Sequence, residues 1–266
     1  MAAGVALIGC ATPAARIDQM ASSNGLTRSE IQGTQYQHVI YQRETPKNGV
    51  LHVYIEGDGT PFFSSTEIAA DPTPRRPLAL ELMLMDPSPS LYLGRPCYYG
   101  HASDDACHWP LWTSHRYSEL VLASMASALT TLITKTATEN VILIGYSGGG
   151  TLAVLLAKRV PQTRAVISLS ANLDIDAWTS LHDYSALSGS LNPAHEPSLP
   201  TSIPQLHLVG RQDTTVPPWI TRRGSAQQPA SQIIEYAEAD HSCCWTRIWP
   251  SALARIKQTL LNPTAE

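Results

Sequence analysis

Apolar runs bounded by turn residues alternate along this chain with stretches whose apolar positions recur at helical spacing. Residues 36–44 alternate apolar and polar side chains and predict an antiparallel-type edge strand. Residues 51–56 predict a second strand, which runs into Gly57-Asp58-Gly59-Thr60-Pro61. Residues 61–77 are proline-rich and irregular, 78–85 predict a short amphipathic helix, and 91–93 a short strand. A long loop follows to Trp112. Residues 117–134 then space Leu120, Val121, Met125, Leu129, Leu132 and Ile133 as a helix would. Further strands are expected at 165–170, 205–210 and 232–236, and a helix at 217–228. A terminal helix is expected over 245–261, starting at or just before Pro250. Residues 172–204 hold many turn residues and little periodicity, and predict a small cap-like insertion over the carboxyl edge of the sheet. Strand–helix alternation from residue 78 onward implies parallel crossovers, hence one α/β domain over 26–266 with a doubly wound, mostly parallel sheet.

The most informative interval is Val141-Ile142-Leu143-Ile144-Gly145-Tyr146-Ser147-Gly148-Gly149-Gly150-Thr151. An apolar run enters a glycine-flanked serine, and the helix-forming stretch Leu152-Ala153-Val154-Leu155-Leu156-Ala157 leaves it. This is the Gly-x-Ser-x-Gly nucleophile elbow in the strand–turn–helix context that gives the motif meaning. The turn is sharp, so Gly145 and Gly149 omit side chains that would collide. It lifts the serine hydroxyl above the sheet edge, at the positive end of the following helix.

The 266 residues suffice for one large core, and a charged fraction of only 15% with 20 prolines describes a compact, loop-rich protein rather than a disordered one. A net charge of −4 without a basic cluster argues against a nucleic-acid partner. No run is long and apolar enough to span a bilayer. Near the start, Leu7-Ile8-Gly9-Cys10 resembles a bacterial lipobox, in which the cysteine is lipidated and becomes the first residue. The apolar run before it is short and lacks a preceding Lys or Arg. The expectation is a signal and polar tether over 1–25 and a protein exported to a bacterial periplasm, or anchored to a membrane through Cys10. The four other cysteines fit that setting as two bridges. Cys97 and Cys107 bracket a short step suited to a local bridge; a cross-link from that loop to Cys243 or Cys244 is the alternative, a vicinal Cys243–Cys244 bridge being strained. These spacings lack paired metal-ligand sets, so neither a metal nor a cofactor is expected.

A serine hydroxyl attacks only when a base takes its proton, usually a histidine held by a carboxylate. In elbow-type folds the partners follow the serine as acid, then histidine. Asp213 lies in a turn after the 205–210 strand, and His241 follows the last strand. Asp174 and Asp176 are rival acids, and Asp240 is read as a helix cap.

With these residues, the chain resembles an α/β-hydrolase-fold serine hydrolase of the esterase/lipase type, over about residues 36–262. The resemblance implies Ser147 as nucleophile, Asp213 as acid and His241 as base. It implies an oxyanion hole made by the N–H of Gly148 and an N–H after the 51–56 strand. Many members carry His-Gly there, whereas this chain has Glu56-Gly57-Asp58-Gly59. Matching Gly57 to the family glycine makes Asp58 the donor, with Gly59 as fallback. The Asp58 carboxylate must then point away or be paired, with Arg95, Arg116 and Arg211 as partners. Tyr146, Trp112 and Trp178 are expected to bind substrate, a small acyl compound, although the tryptophans could equally pack the loops down. The activity implied is cleavage of a carboxylic ester through an acyl-enzyme. Amide or peptide hydrolysis and acyl transfer use the same residues, and a non-catalytic binding protein on this fold is the other class.

Overall fold

The computed structural model describes residues 11–43 and 49–261. The lipobox-like segment and Cys10 lie outside them. In chain order the elements are α1 (Pro13–Ser23), β1 (Thr27–Gln32), β2 (Gln37–Gln42), β3 (Val50–Ile55), α2 (Leu78–Leu84), β4 (Ser90–Leu93), α3 (Glu119–Thr136), β5 (Asn140–Tyr146), α4 (Gly148–Leu156), β6 (Thr163–Leu169), α5 (Ile175–Leu181), β7 (Gln205–Gly210), α6 (Pro218–Ser225), β8 (Ser231–Tyr236) and α7 (Trp245–Leu261).

The strands form one eight-stranded sheet in the order β1-β2-β4-β3-β5-β6-β7-β8. β1 pairs β2 and β2 pairs β4 antiparallel; every pairing from β4 to β8 is parallel. This is the α/β-hydrolase fold. The central strands β5 and β6 are buried along almost their whole length, as expected where helices cover both faces. α4, at the centre, is buried at every position. α3 is held at both ends. Ser118 caps its start by accepting from the Val121 N–H, and Ala137 ends it in the left-handed region at φ 51°.

Three sequence expectations need correction. The edge strand is β1, not 36–44; Thr27–Gln32 is exposed at all positions but one, so its pattern carried no apolar alternation, and β2 lies one place inside. The stretch read as a polar tether is helical from Pro13 to Ser23, started by Thr12 and docked through buried Ala14, Ile17 and Ala21. The terminal helix begins at Trp245 and carries Pro250 inside it; buried Trp245, Trp249, Ala252 and Ile256 hold it against the core despite the lost hydrogen bond. No described helix is long and apolar enough to cross a membrane.

The cysteines pair within their own loops. Cys97 bridges Cys107, with Cα atoms 5.5 Å apart, and Cys243 bridges Cys244. The cross-link between loops is therefore not the arrangement adopted. Cys244 accommodates the vicinal bridge in the left-handed region at φ 77°.

Candidate active site

The elbow sits between β5 and α4. Ser147 adopts φ 51° and ψ −123°, a strained conformation for a residue with a side chain. Its own N–H bonds the Leu169 carbonyl at 2.8 Å, and its carbonyl accepts from Gly150 at 2.9 Å, so the surroundings impose the strain. A Cβ on Gly145 would be driven into the backbone of Gly149, and one on Gly149 into the Ile55 carbonyl. Both glycines are thus fixed by packing, as the motif implied.

The β7 and β8 strands deliver the partners. His241 Nε2 lies 3.1 Å from Ser147 Oγ, and His241 Nδ1 lies 2.9 Å from Asp213 Oδ2. The other Asp213 oxygen, Oδ1, accepts from the N–H groups of Thr215 at 2.9 Å and Val216 at 2.7 Å. The Asp213 side chain is wholly buried, whereas that of His241 is one-fifth exposed. Asp240 bonds the N–H groups of Ser242 and Cys243, and the Trp245 indole N–H donates to the carbonyls of Asp240 and His241. These contacts fix the loop that carries the imidazole. The rival acids point elsewhere: Asp174 caps α5 and pairs with Arg223 at 2.7 Å, while Asp176 faces Asn192 and His195.

The loop after β3 passes beside the elbow. A Cβ on Gly57 would touch the Ser147 side chain, and one on Gly148 would overlap Asp58 Oδ1. The Asp58 carboxylate is paired: Arg95 Nη1 donates to Oδ1 at 2.6 Å, Arg116 Nη1 to Oδ2 at 2.8 Å, and the Tyr117 hydroxyl to Oδ2 at 2.7 Å. Burial pushes this carboxyl up, but Arg116 and Arg95 outweigh it and hold Asp58 well below the usual carboxylate range. Arg211 pairs with Glu235 instead. Among the described residues, the N–H groups of Asp58 and Gly148 meet no acceptor. Gly59 sits at φ 68°, with Pro72 where a Cβ would stand, so only glycine fits there. Glu56 lies beneath the loop; burial pushes its carboxyl up to about 7 against the N–H groups of Gly57 and Ala79.

The dienelactone hydrolase family model matches residues 88–247, more than half of the chain and the span that carries Ser147, Asp213 and His241. The chain belongs to the dienelactone hydrolase family. No curated protein is similar enough in sequence to count as a relative. Solved structures share the fold at low identity. An esterase from Pyrococcus furiosus aligns with a TM-score of 0.60 at 13% identity, covering 96% of this chain and 97% of its own. Mouse alpha/beta hydrolase domain-containing protein 10 gives 0.59 at 13%, covering 88% and 99%. A bacterial membrane phospholipase A, described as a virulence factor, gives 0.57 at 12%, covering 94% and 90%.

In this dienelactone hydrolase family member the aromatic side chains divide by role. Tyr146 is half-buried, with its ring centroid 5.3 Å from that of His241. Trp112 is buried and spends its indole N–H on the Ala69 carbonyl, 3.1 Å away, which braces two loops against each other. Trp178 is half-buried, and its N–H donates to the Thr215 carbonyl at 2.8 Å, tying α5 to the turn that holds Asp213. Tyr117 and Tyr98, which bond the Asp58 carboxylate and carbonyl, were not singled out from the sequence. No spacing rule links them to residue 58. Among the described residues no group of three or more His, Cys, Asp or Glu side chains is arranged to hold a metal ion.

Proposed function

We propose that this protein is a serine hydrolase that cleaves a carboxylic ester through a covalent acyl-enzyme. The observation that carries the reading is the unbroken hydrogen-bonded relay from Ser147 through His241 to Asp213. His241 Nε2 takes the Ser147 proton as Oγ attacks the ester carbonyl, and Asp213 holds the tautomer that leaves Nε2 free to accept. The N–H groups of Gly148 and Asp58, with Gly59 as fallback, receive the oxyanion. His241 then protonates the departing alcohol. It next takes a proton from water as that water attacks the acyl-serine, and returns the proton to Ser147 Oγ as the acid is released.

The family's description as hydrolases, and the neighbours described as an esterase and a phospholipase A, support an ester as substrate. Tyr146 borders the reacting atoms, and residues 172–204 act as a small cap. Two disulfides support an oxidising compartment, in keeping with export and attachment through a lipidated Cys10. A panel of p-nitrophenyl esters of graded chain length, run beside peptide anilides and with a chelator present, tests the reading. Ester turnover indifferent to the chelator and well above anilide turnover is expected. Anilide turnover exceeding ester turnover, or activity lost to the chelator and restored by Zn²⁺, would overturn it.

A further inference from the structure

We propose that Arg95 and Arg116 are positioning residues of this reaction: through Asp58 and Tyr117 they fix the N–H of residue 58, and their surplus positive charge favours the oxyanion that forms beside it. The inference rests on the serine hydrolase reading above.

The cluster is costly unless something is gained. Arg95 is 1% exposed and Arg116 5%, and two guanidinium groups face one carboxylate. Buried charges of this kind are no better for stability than apolar packing of the same volume. Arg95 Nε has no hydrogen-bond partner, so the cluster is not optimised as a structural tie. Its geometry instead converges on one short piece of backbone. Arg95 Nη2 donates to the Arg116 carbonyl at 3.1 Å, and Arg116 Nε to the Thr113 carbonyl at 2.7 Å, so each guanidinium is locked before it reaches Asp58. The Arg95 guanidinium also lies over the rings of Tyr98 and Tyr117, 5.1 and 5.7 Å from their centroids. Tyr98 donates to the Asp58 carbonyl at 3.0 Å. The side chain and carbonyl of Asp58 are thereby committed to protein partners, and its N–H is left over.

The position completes the argument. The Asp58 carboxylate packs onto the Cα of Gly148, so the cluster lies directly behind both proposed oxyanion donors. A carboxylate alone would repel an oxyanion there. With two arginines the local balance is reversed, and the donors are preorganised before substrate arrives.

The test compares Arg116→Lys, Arg116→Gln and Tyr117→Phe with wild type. Ester kinetics are read beside the affinity for an aryl trifluoromethyl ketone, whose serine adduct carries an oxyanion. Each variant is expected to lower kcat by about 10- to 100-fold with KM within about twofold, because a donor that acts only in the transition state is no longer held in place. Ketone affinity should fall by the same factor, and Arg116→Lys should retain more activity than Arg116→Gln. Unchanged kcat in folded variants, or a rise in KM with ketone affinity intact, would overturn the proposal. If the arginine variants do not fold, Tyr117→Phe removes one hydroxyl and decides alone. Failure of the underlying reading shows separately, as wild-type activity that survives Ser147→Ala.

Discussion

Replacing Asp213 by asparagine changes one atom and should switch the enzyme off by reversing a tautomer. Asp213 Oδ1 already accepts from two backbone N–H groups, at 2.9 and 2.7 Å. The asparagine carbonyl oxygen must take that place, which turns its amide N–H₂ toward His241 Nδ1. The imidazole then carries its proton on Nε2 and donates to Ser147 instead of accepting. The opposite amide orientation would restore the working tautomer but set N–H₂ against two N–H donors. Leaving both donors unmet costs roughly 2–6 kcal/mol. That bounds the surviving population, so kcat should fall by between about 30-fold and about 10⁴-fold, the latter being the usual cost of a wrong tautomer. The Oδ1 bonds persist, so the unfolding midpoint should stay near that of wild type. Steady-state hydrolysis of a p-nitrophenyl ester, with a parallel urea titration, measures both. A folded Asp213→Asn protein within about tenfold of wild-type kcat would refute the reasoning, since it would mean that the Asp213–His241 contact does not set the tautomer.

The remaining expectations concern stability. Gly145→Ala drives a methyl group into the backbone of Gly149 and should lower stability by about 3 kcal/mol; an unshifted urea midpoint would contradict the packing argument for the elbow. Cys97→Ala/Cys107→Ala opens a loop with a sequence separation of 10, worth about 3 kcal/mol by chain entropy, or about 6–12 °C in Tm by calorimetry; an unchanged Tm would contradict it. Burial pushes His38 and His207 down to about 4, so both stay neutral in the fold while the unfolded chain takes up protons below roughly pH 6.5. Their contribution is full above that value and is lost as pH falls through about 4. Glu56, pushed up to about 7, runs the other way: its contribution is full below roughly pH 4.5 and is lost as pH rises through 7. The two histidines prevail, so these groups together remove about 2 kcal/mol between pH 7 and pH 5. The urea midpoint should fall accordingly, and a rise on acidification would contradict the assignment.

Much of the fold was legible because its signals are local. The run from Val141 to Ile144 could only be a buried strand, and the glycines around Ser147 announced the turn that follows. Asp213 and His241 could be placed because each follows a strand that ends at the same sheet edge, although His241 lies 94 positions from Ser147 and 28 from Asp213. β1 escaped because an exposed edge strand needs no apolar period, and its identity comes from pairing with β2. Residues 13–23 escaped because a polar composition hid three small or aliphatic residues on one helical face. Pro250 was over-weighted: burial of Trp245 and Trp249 outbids one missing hydrogen bond. Within the site, Arg95 and Arg116 were recognisable as partners for an acidic side chain that could not be left facing an oxyanion. Tyr117 and Tyr98 were not, because their role depends on where two long loops meet and no periodicity reports that.

The central claim is that the Ser147 hydroxyl, activated by His241, is the nucleophile that forms the covalent intermediate. Exposing the folded protein to a fluorophosphonate and mapping the adduct by mass spectrometry tests it most directly. The account predicts phosphonylation of the Ser147 hydroxyl, with labelling and ester hydrolysis lost in parallel in His241→Ala. A folded, hydrolytically active protein that takes no label, or carries it on another residue, would contradict the account.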